Sequence, residues 1–148
     1  MEKFVQIKDK ETENKKFKVI AAVVRNDEGK ILLVYRIKRN PGWAFPSGTG
    51  ASAKFGQTPE EGVYDEVKVD TGLNIEDVKP LVRIPISDDK LVDETVAFSC
   101  KAKTTEEVRM NPKYVGDYAW VDLDDPRLDD LPFDQPKIIA AYREYLRQ

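Results

Sequence analysis

Two runs near the start of the chain, Phe17 to Val24 (FKVIAAVV) and Ile31 to Tyr35 (ILLVY), are apolar almost without a break. A strand with one wet face alternates apolar and polar residues, and these runs do not. Both therefore predict strands covered on both faces, as in a sheet that lies between helices. Arg25-Asn26-Asp27-Glu28-Gly29 joins them as a turn ending in glycine. The 148 residues suit one domain, and 41% of them are hydrophobic, enough to fill such a core.

The remaining pattern fits one α/β (α+β) domain, with residues 1–16 as an N-terminal segment and 17–147 as the core. Lys10 to Lys16 is polar and reads as a turn or loose lead-in. Asn40-Pro41-Gly42 punctuates before a short strand, Trp43 to Pro46. Ser47 to Gln57, with Gly48, Gly50 and Gly56, predicts a loop. A helix starts at Thr58: the threonine caps it, Pro59 fits the first helical position and Glu61 completes a capping box. Gly72 stops it. Val78 to Ile86 and Glu94 to Lys103 predict strands. In the second, Val96, Phe98, Cys100 and Ala102 alternate with more polar residues, which predicts one solvated face. Tyr118 to Val121 adds a short strand. A last helix covers Gln135 to Arg147, capped by Asp134, with Ile138, Ile139, Tyr142, Tyr145 and Leu146 on its apolar face. There is no internal repeat or low-complexity tract. The order predicts a mixed sheet flanked by helices.

Composition narrows the chemistry. The chain contains no histidine. That removes Ser-His-Asp and Cys-His catalysis and histidine-ligated zinc. Any metal must be held by oxygen ligands, which means a hard cation such as Mg²⁺ or Mn²⁺. Cys100 is the one cysteine, so no disulfide forms within the chain. It reads as a small core residue, not a nucleophile. A formal net charge of −3 and a pI near 5.2 do not build a surface for duplex nucleic acid. Met1 to Gln6 carries no long apolar run, and no stretch reaches transmembrane length, so the expectation is a cytoplasmic protein without a membrane partner.

The stretch that carries chemistry is Gly42 to Val78 (GWAFPSGTGASAKFGQTPEEGVYDEVKVDTGLNIEDV). It resembles the Nudix box, G-x5-E-x7-R-E-U-x-E-E-x-G-U, where U is aliphatic. Anchored at its C-terminal end, the match runs Asp65, Glu66, Val67, Lys68, Val69, Asp70, Thr71, Gly72, Leu73. WAFPSG resembles the family's W-x-x-P-G-G, and Gly56-Gln57 stands where the family has Gly-Glu. Tyr118 to Leu123 is similar to a late strand of many members, and the resemblance extends over about Phe17 to Leu146. The box is degenerate. Asp65 replaces the family's arginine, Gln57 its first glutamate, Val69 and Asp70 its glutamate pair, and the loop from Gly48 to Gln57 is three residues too long.

The resemblance implies a Nudix-type sheet between helices and hydrolysis of a phosphoanhydride bond in a small nucleoside diphosphate derivative. Divalent cations serve that chemistry by neutralising phosphate charge and activating water. Glu66 and Asp70, four residues apart, share a helix face and are the implied ligands of Mg²⁺ or Mn²⁺. Glu66 is also the candidate general base. On an anonymous helix the same pair would read as a solvated face; the WAFPSG and Gly72-Leu73 context turns it toward function. Arg36 matches a position where the family often carries arginine, and phosphate binding and a solvated strand end both stay open for it. Gly48 and Gln57 are the other candidate substrate contacts, although Gln57 offers at most a neutral amide and the glycine loop reads equally as a connector. Trp43 and Phe45 alternate on a short strand: at least one reads as core packing, with base stacking as the lesser alternative, and Trp120 reads as structural.

Phe45-Pro46-Ser47-Gly48 and Gly62 to Val67 are most similar to the dinucleoside-polyphosphate and RNA-pyrophosphohydrolase branch. The competing reading is a nucleotide-binding or regulatory module that has lost efficient turnover, for which Val69 is the main support. A homodimer stays open.

Overall fold

The computed structural model describes residues 3–6, 17–103 and 107–148, so the lead-in expected at Lys10 to Lys16 lies outside the described residues. Strand β2, Phe17–Arg25, runs parallel to β7, Val92–Ala102, in register from Lys18 beside Glu94 to Arg25 beside Lys101. β6, Ile75–Pro85, pairs antiparallel with β7, and the short β1, Val5–Gln6, pairs parallel with β6. On the other side β3, Ile31–Arg36, turns back from β2 at the Arg25–Ile31 pair. It then runs antiparallel to β4, Gly42–Ala44, and to β8, Val115–Val121. The two-residue β5, Ser47–Gly48, lies antiparallel against Ala21 and Ile20. The sheet is thus mixed, as the interleaving of strands and helices predicts.

Each face of that sheet carries its own core. Ala21 and Val23 of β2 point to one side, with Phe45, Leu81, Ile84 and Ala97. There they meet Ile138, Ile139 and Tyr142 of the last helix, α3, Gln135–Leu146. Ile20, Ala22 and Val24 point to the other side and meet Val63, Val67 and Leu73 of helix α2, Pro59–Thr71, and the turn after it. This is the two-sided cover that the unbroken apolar runs require. Fully burying Val63 and Val67 stabilises the α2 contact by roughly 1.5–3 kcal/mol each. Among the described residues no helix is long and apolar enough to cross a membrane.

The boundaries of α2 follow local rules. Thr58 accepts the Glu61 N–H, the Glu61 side chain returns to the Thr58 N–H, and Gly72 closes the helix in a left-handed conformation at φ +72°.

Three expectations are corrected. The segment read as a loop over Ser47 to Gln57 holds β5 and a short helix, α1, Gly50–Phe55. The second face of β7 is not solvated: Thr95, Ala97 and Ser99 are all buried. The Ala97 side belongs to the core that α3 covers, and small, weakly polar side chains suit such a close cover. Asp134 precedes α3 but makes no capping bond; its Oδ2 accepts the Thr95 hydroxyl at 2.8 Å instead.

Candidate active site

Helix α2 turns Val63 and Val67 into the core, which fixes where Glu66 and Asp70 point. The two carboxylates lie on the same helix face and are 7% and 8% exposed. Neither makes an ion pair among the described residues. The solvated-face reading fails on that burial.

The segment after Pro46 passes directly over this face. At Gly48 an added Cβ would lie 2.6 Å from Glu66 Oε2, so only glycine lets the β5 backbone come so close to the carboxylate. The Ala51 N–H donates to Glu66 Oε1 at 2.9 Å. Thr49, at the cap position of α1, makes no side-chain capping bond, so Glu66 takes over that duty from across the fold. A Cβ on Gly62 would lie 2.7 Å from both Ala51 Cβ and Ile20 Cδ1, so α1 also sits on α2 only because residue 62 has no side chain.

Burial raises the Glu66 pKa, the Ala51 N–H working against it and the Asp65 charge with it. Asp70 is pushed from an ordinary 3.8 up to about 7, first by burial and then by the Glu66 charge. The Ser47 backbone N–H and the Arg36 charge oppose that rise. Arg36, at the end of β3, is partly desolvated, which lowers its pKa, while Asp70 supports its charge. Its guanidinium stacks on the Phe133 ring, 5.0 Å from the centroid. Two carboxylates with raised proton affinity beside a desolvated cation form the kind of perturbed cluster that marks functional sites.

The other box positions take different places. Gln57 Nε2 donates to Asp65 Oδ2 at 2.8 Å on the outside of the helix, and Gln57 Oε1 is buried without a hydrogen-bond partner among the described residues. Gln57 thus braces Asp65, and no described contact joins it to Glu66 or Asp70. Val69 is 48% exposed. Among the described residues no three acidic, histidine or cysteine side chains converge as a metal cage. Phe45 is fully buried in the core, and Trp43 is partly buried with Arg127 over its ring, so the packing role expected of at least one falls to Phe45. Cys100 is buried and its pKa is pushed up to about 12, which rules out a thiolate nucleophile at neutral pH.

Two contributors carried no sequence signal. Gln135, 3% exposed, accepts the Phe45 N–H on Oε1 and reaches Ser47 Oγ with Nε2 at 3.5 Å. It ties the start of α3 to the strand that carries Ser47. Phe133 lies far along the chain from Arg36, and only the tertiary fold joins them.

The sequence profile of the NUDIX domain matches residues 15–142. An RNA pyrophosphohydrolase of Acinetobacter baylyi is 37% identical over 60 residues, which are 40% of this chain and 34% of that protein's length. The NUDIX domain of Shewanella oneidensis NrtR, solved in complex with ADP ribose, superposes with a TM-score of 0.65 at 20% identity over 94% of both chains. A MutT protein of Methanosarcina mazei superposes at 0.61 with 21% identity, over 90% of this chain and 97% of its own. At these identities the solved structures establish the shared fold.

Proposed function

Because the chain belongs to the Nudix family, we propose that it is a divalent-cation-dependent hydrolase, slowed by its degenerate box, that cleaves a phosphoanhydride bond in a nucleoside diphosphate derivative. The observation that carries this reading is the buried pair Glu66 and Asp70, one turn apart and without an ion-pair partner among the described residues. Burying two like charges side by side destabilises a fold, and a hard cation offsets that repulsion.

The donor set fits such an ion. Both side chains offer oxygen, and Mg²⁺ or Mn²⁺ keeps several waters when protein carboxylates are few, taking its remaining ligands from substrate phosphates. When bound, the ion polarises the phosphoanhydride and lowers the pKa of attacking water. The chain's own residues do the rest. Arg36 neutralises phosphate charge at the end of β3 beside Asp70. Gly48 lets the β5 backbone lie against the Glu66 carboxylate and hold it in place. Glu66, held by the Ala51 N–H on Oε1, takes the water proton as the water oxygen bonds to phosphorus and the bridging oxygen leaves. Val69 in place of a third carboxylate accounts for reduced cation affinity and rate.

A second reading, nucleotide binding without efficient turnover, draws on the Ala51 and Gly50 backbone bonds: the Glu66 carboxylate already has partners in the fold. The NrtR domain solved with ADP ribose gives that reading a parallel. Phosphate release from a panel of nucleoside diphosphate derivatives with Mn²⁺, for the natural chain and Glu66→Gln, separates the two. Turnover abolished by the substitution supports the hydrolase. Nucleotide binding with no turnover favours the second reading, and no binding by any panel member defeats both.

A further inference from the structure

At the mouth of the site stands an aromatic residue whose placement nothing in the core explains. Phe133 is 60% exposed, and its backbone is held at φ +55°. A bulky side chain rarely adopts that left-handed conformation, and such strain persists where the surroundings enforce it, often at a ligand site. The surroundings are identifiable. Leu131 before it is buried in the core, and Asp134 and Gln135 after it are anchored to Thr95, Phe45 and Ser47. The anchors on both sides leave the ring pointing outward.

One face of that ring is covered by the Arg36 guanidinium at 5.0 Å. Arg36 is half-buried and makes no ion pair or hydrogen bond with a described side chain. Among the described residues its fork of N–H donors thus stands open to an oxyanion, while the Phe133 ring keeps open aromatic surface directly beside it. Phosphate recognition and a flat apolar platform stand next to each other, on the side where Ser47 and Asp70 converge with Arg36.

We infer that Phe133 is the platform on which the ring base of a nucleoside diphosphate stacks, with Arg36 taking the adjoining phosphate, so that this chain selects nucleotides over diphosphates that lack a base. The inference rests on the reading of Glu66, Asp70 and Arg36 as a phosphate site. Stacking against one ring is tolerant of base identity, because every base has a π face. The expected order is purine above pyrimidine nucleotide, with no sharp selection among purines.

The test is calorimetric, with Mn²⁺ and two non-hydrolysable probes: α,β-methylene-ADP, which carries a base, and methylenediphosphonate, which does not. Phe133→Ala is expected to weaken the ADP analogue by roughly 5- to 150-fold, the range that base–aromatic stacking covers. It should leave methylenediphosphonate within about twofold. Phe133→Trp should retain or tighten the ADP analogue. Phe133→Gly relieves the backbone strain and should melt higher than the natural chain while binding the ADP analogue worse, a split that a purely structural ring does not produce. Equal losses on both probes would mean that Phe133 serves only to hold Arg36, and unchanged affinity would mean the ring is outside the site; either overturns the inference. If the natural chain binds methylenediphosphonate as tightly as the ADP analogue, the platform fails while the phosphate site stands. If it binds neither, the phosphate site fails as well.

Discussion

Gln57 donates its side-chain amide to Asp65 across 2.8 Å, joining two of the three positions where the box has changed its charge. The family pattern has glutamate at the first and arginine at the second, so here the donor stands at the first position and the carboxylate at the second. Gln57→Glu alone places two carboxylates together and is expected to destabilise the fold by roughly 0.5–1 kcal/mol, small because the pair is exposed. Adding Asp65→Arg should recover that loss. Urea denaturation of both single variants and the double variant measures the coupling. Strictly additive effects would show that the contact contributes nothing.

Glu66 serves two purposes, and substitutions separate them. Glu66→Gln keeps an oxygen for the Ala51 N–H, so α1 should stay docked while the Mn²⁺-induced rise in melting temperature disappears. Glu66→Ala leaves that buried N–H without its acceptor and should cost about 1–3 kcal/mol. If the two variants are equally stable, the capping of α1 by Glu66 carries no energy.

Asp70 makes stability depend on pH. Its folded pKa, about 7, lies above the ordinary 3.8, so the folded state holds the proton more tightly. The stability this confers is fully present below about pH 4 and is lost as pH rises through 7. Asp70→Asn cannot titrate. It should gain on the natural chain by up to ~4 kcal/mol at pH 8 and lose that advantage toward pH 4. Denaturant midpoints at pH 4, 6 and 8 without added metal provide the comparison, and a constant difference across them would contradict the assignment.

Gly62 sets how closely α1 approaches α2. Gly62→Ala drives a methyl group against Ala51 and Ile20 and is expected to destabilise by about 1–3 kcal/mol despite alanine's better helix propensity. Ala51→Gly in the same chain should return part of it. Thermal melts of the three variants test this; a neutral or stabilising Gly62→Ala would mean that α1 is not packed there.

Val69→Glu adds a carboxylate on the exposed flank of the Glu66 and Asp70 face. Without metal the added repulsion should lower the melting temperature slightly, and Mn²⁺ should raise it more than in the natural chain. An identical metal response would show that residue 69 does not reach the site.

What the sequence revealed and what it hid divide by range. Helix α2 was legible because Thr58, Pro59, Glu61 and Gly72 act within one helical turn of its ends. Strands β2 and β3 were legible because their apolar runs need two covers whatever supplies them. Helix α1 was hidden because its six residues depend on Glu66, Ser52 bonded to Lys18, and the gap at Gly62, all tertiary contacts. The buried second face of β7 was hidden for a similar reason: Thr95 and Ser99 look wet until α3 is laid over them. Glu66 and Asp70 could be placed on one face from their spacing, but their burial and the raised pKa of each depend on where the Ser47 to Ala51 segment crosses.

The parallel pairing of β2 with β7 has a consequence for synthesis. Phe17 and Val92 are partners, so the central strand waits for a segment some half a chain away before one edge of it is hydrogen-bonded. Until then FKVIAAVV is an apolar ribbon with unsatisfied backbone, the kind of segment that sticks to its copies. Closing so long a loop is also slow relative to hairpin formation. The nascent chain should therefore pass through an aggregation-prone interval that ends only when the β7 sequence leaves the ribosome, and its yield should respond more to chaperones and translation speed than its finished stability would suggest.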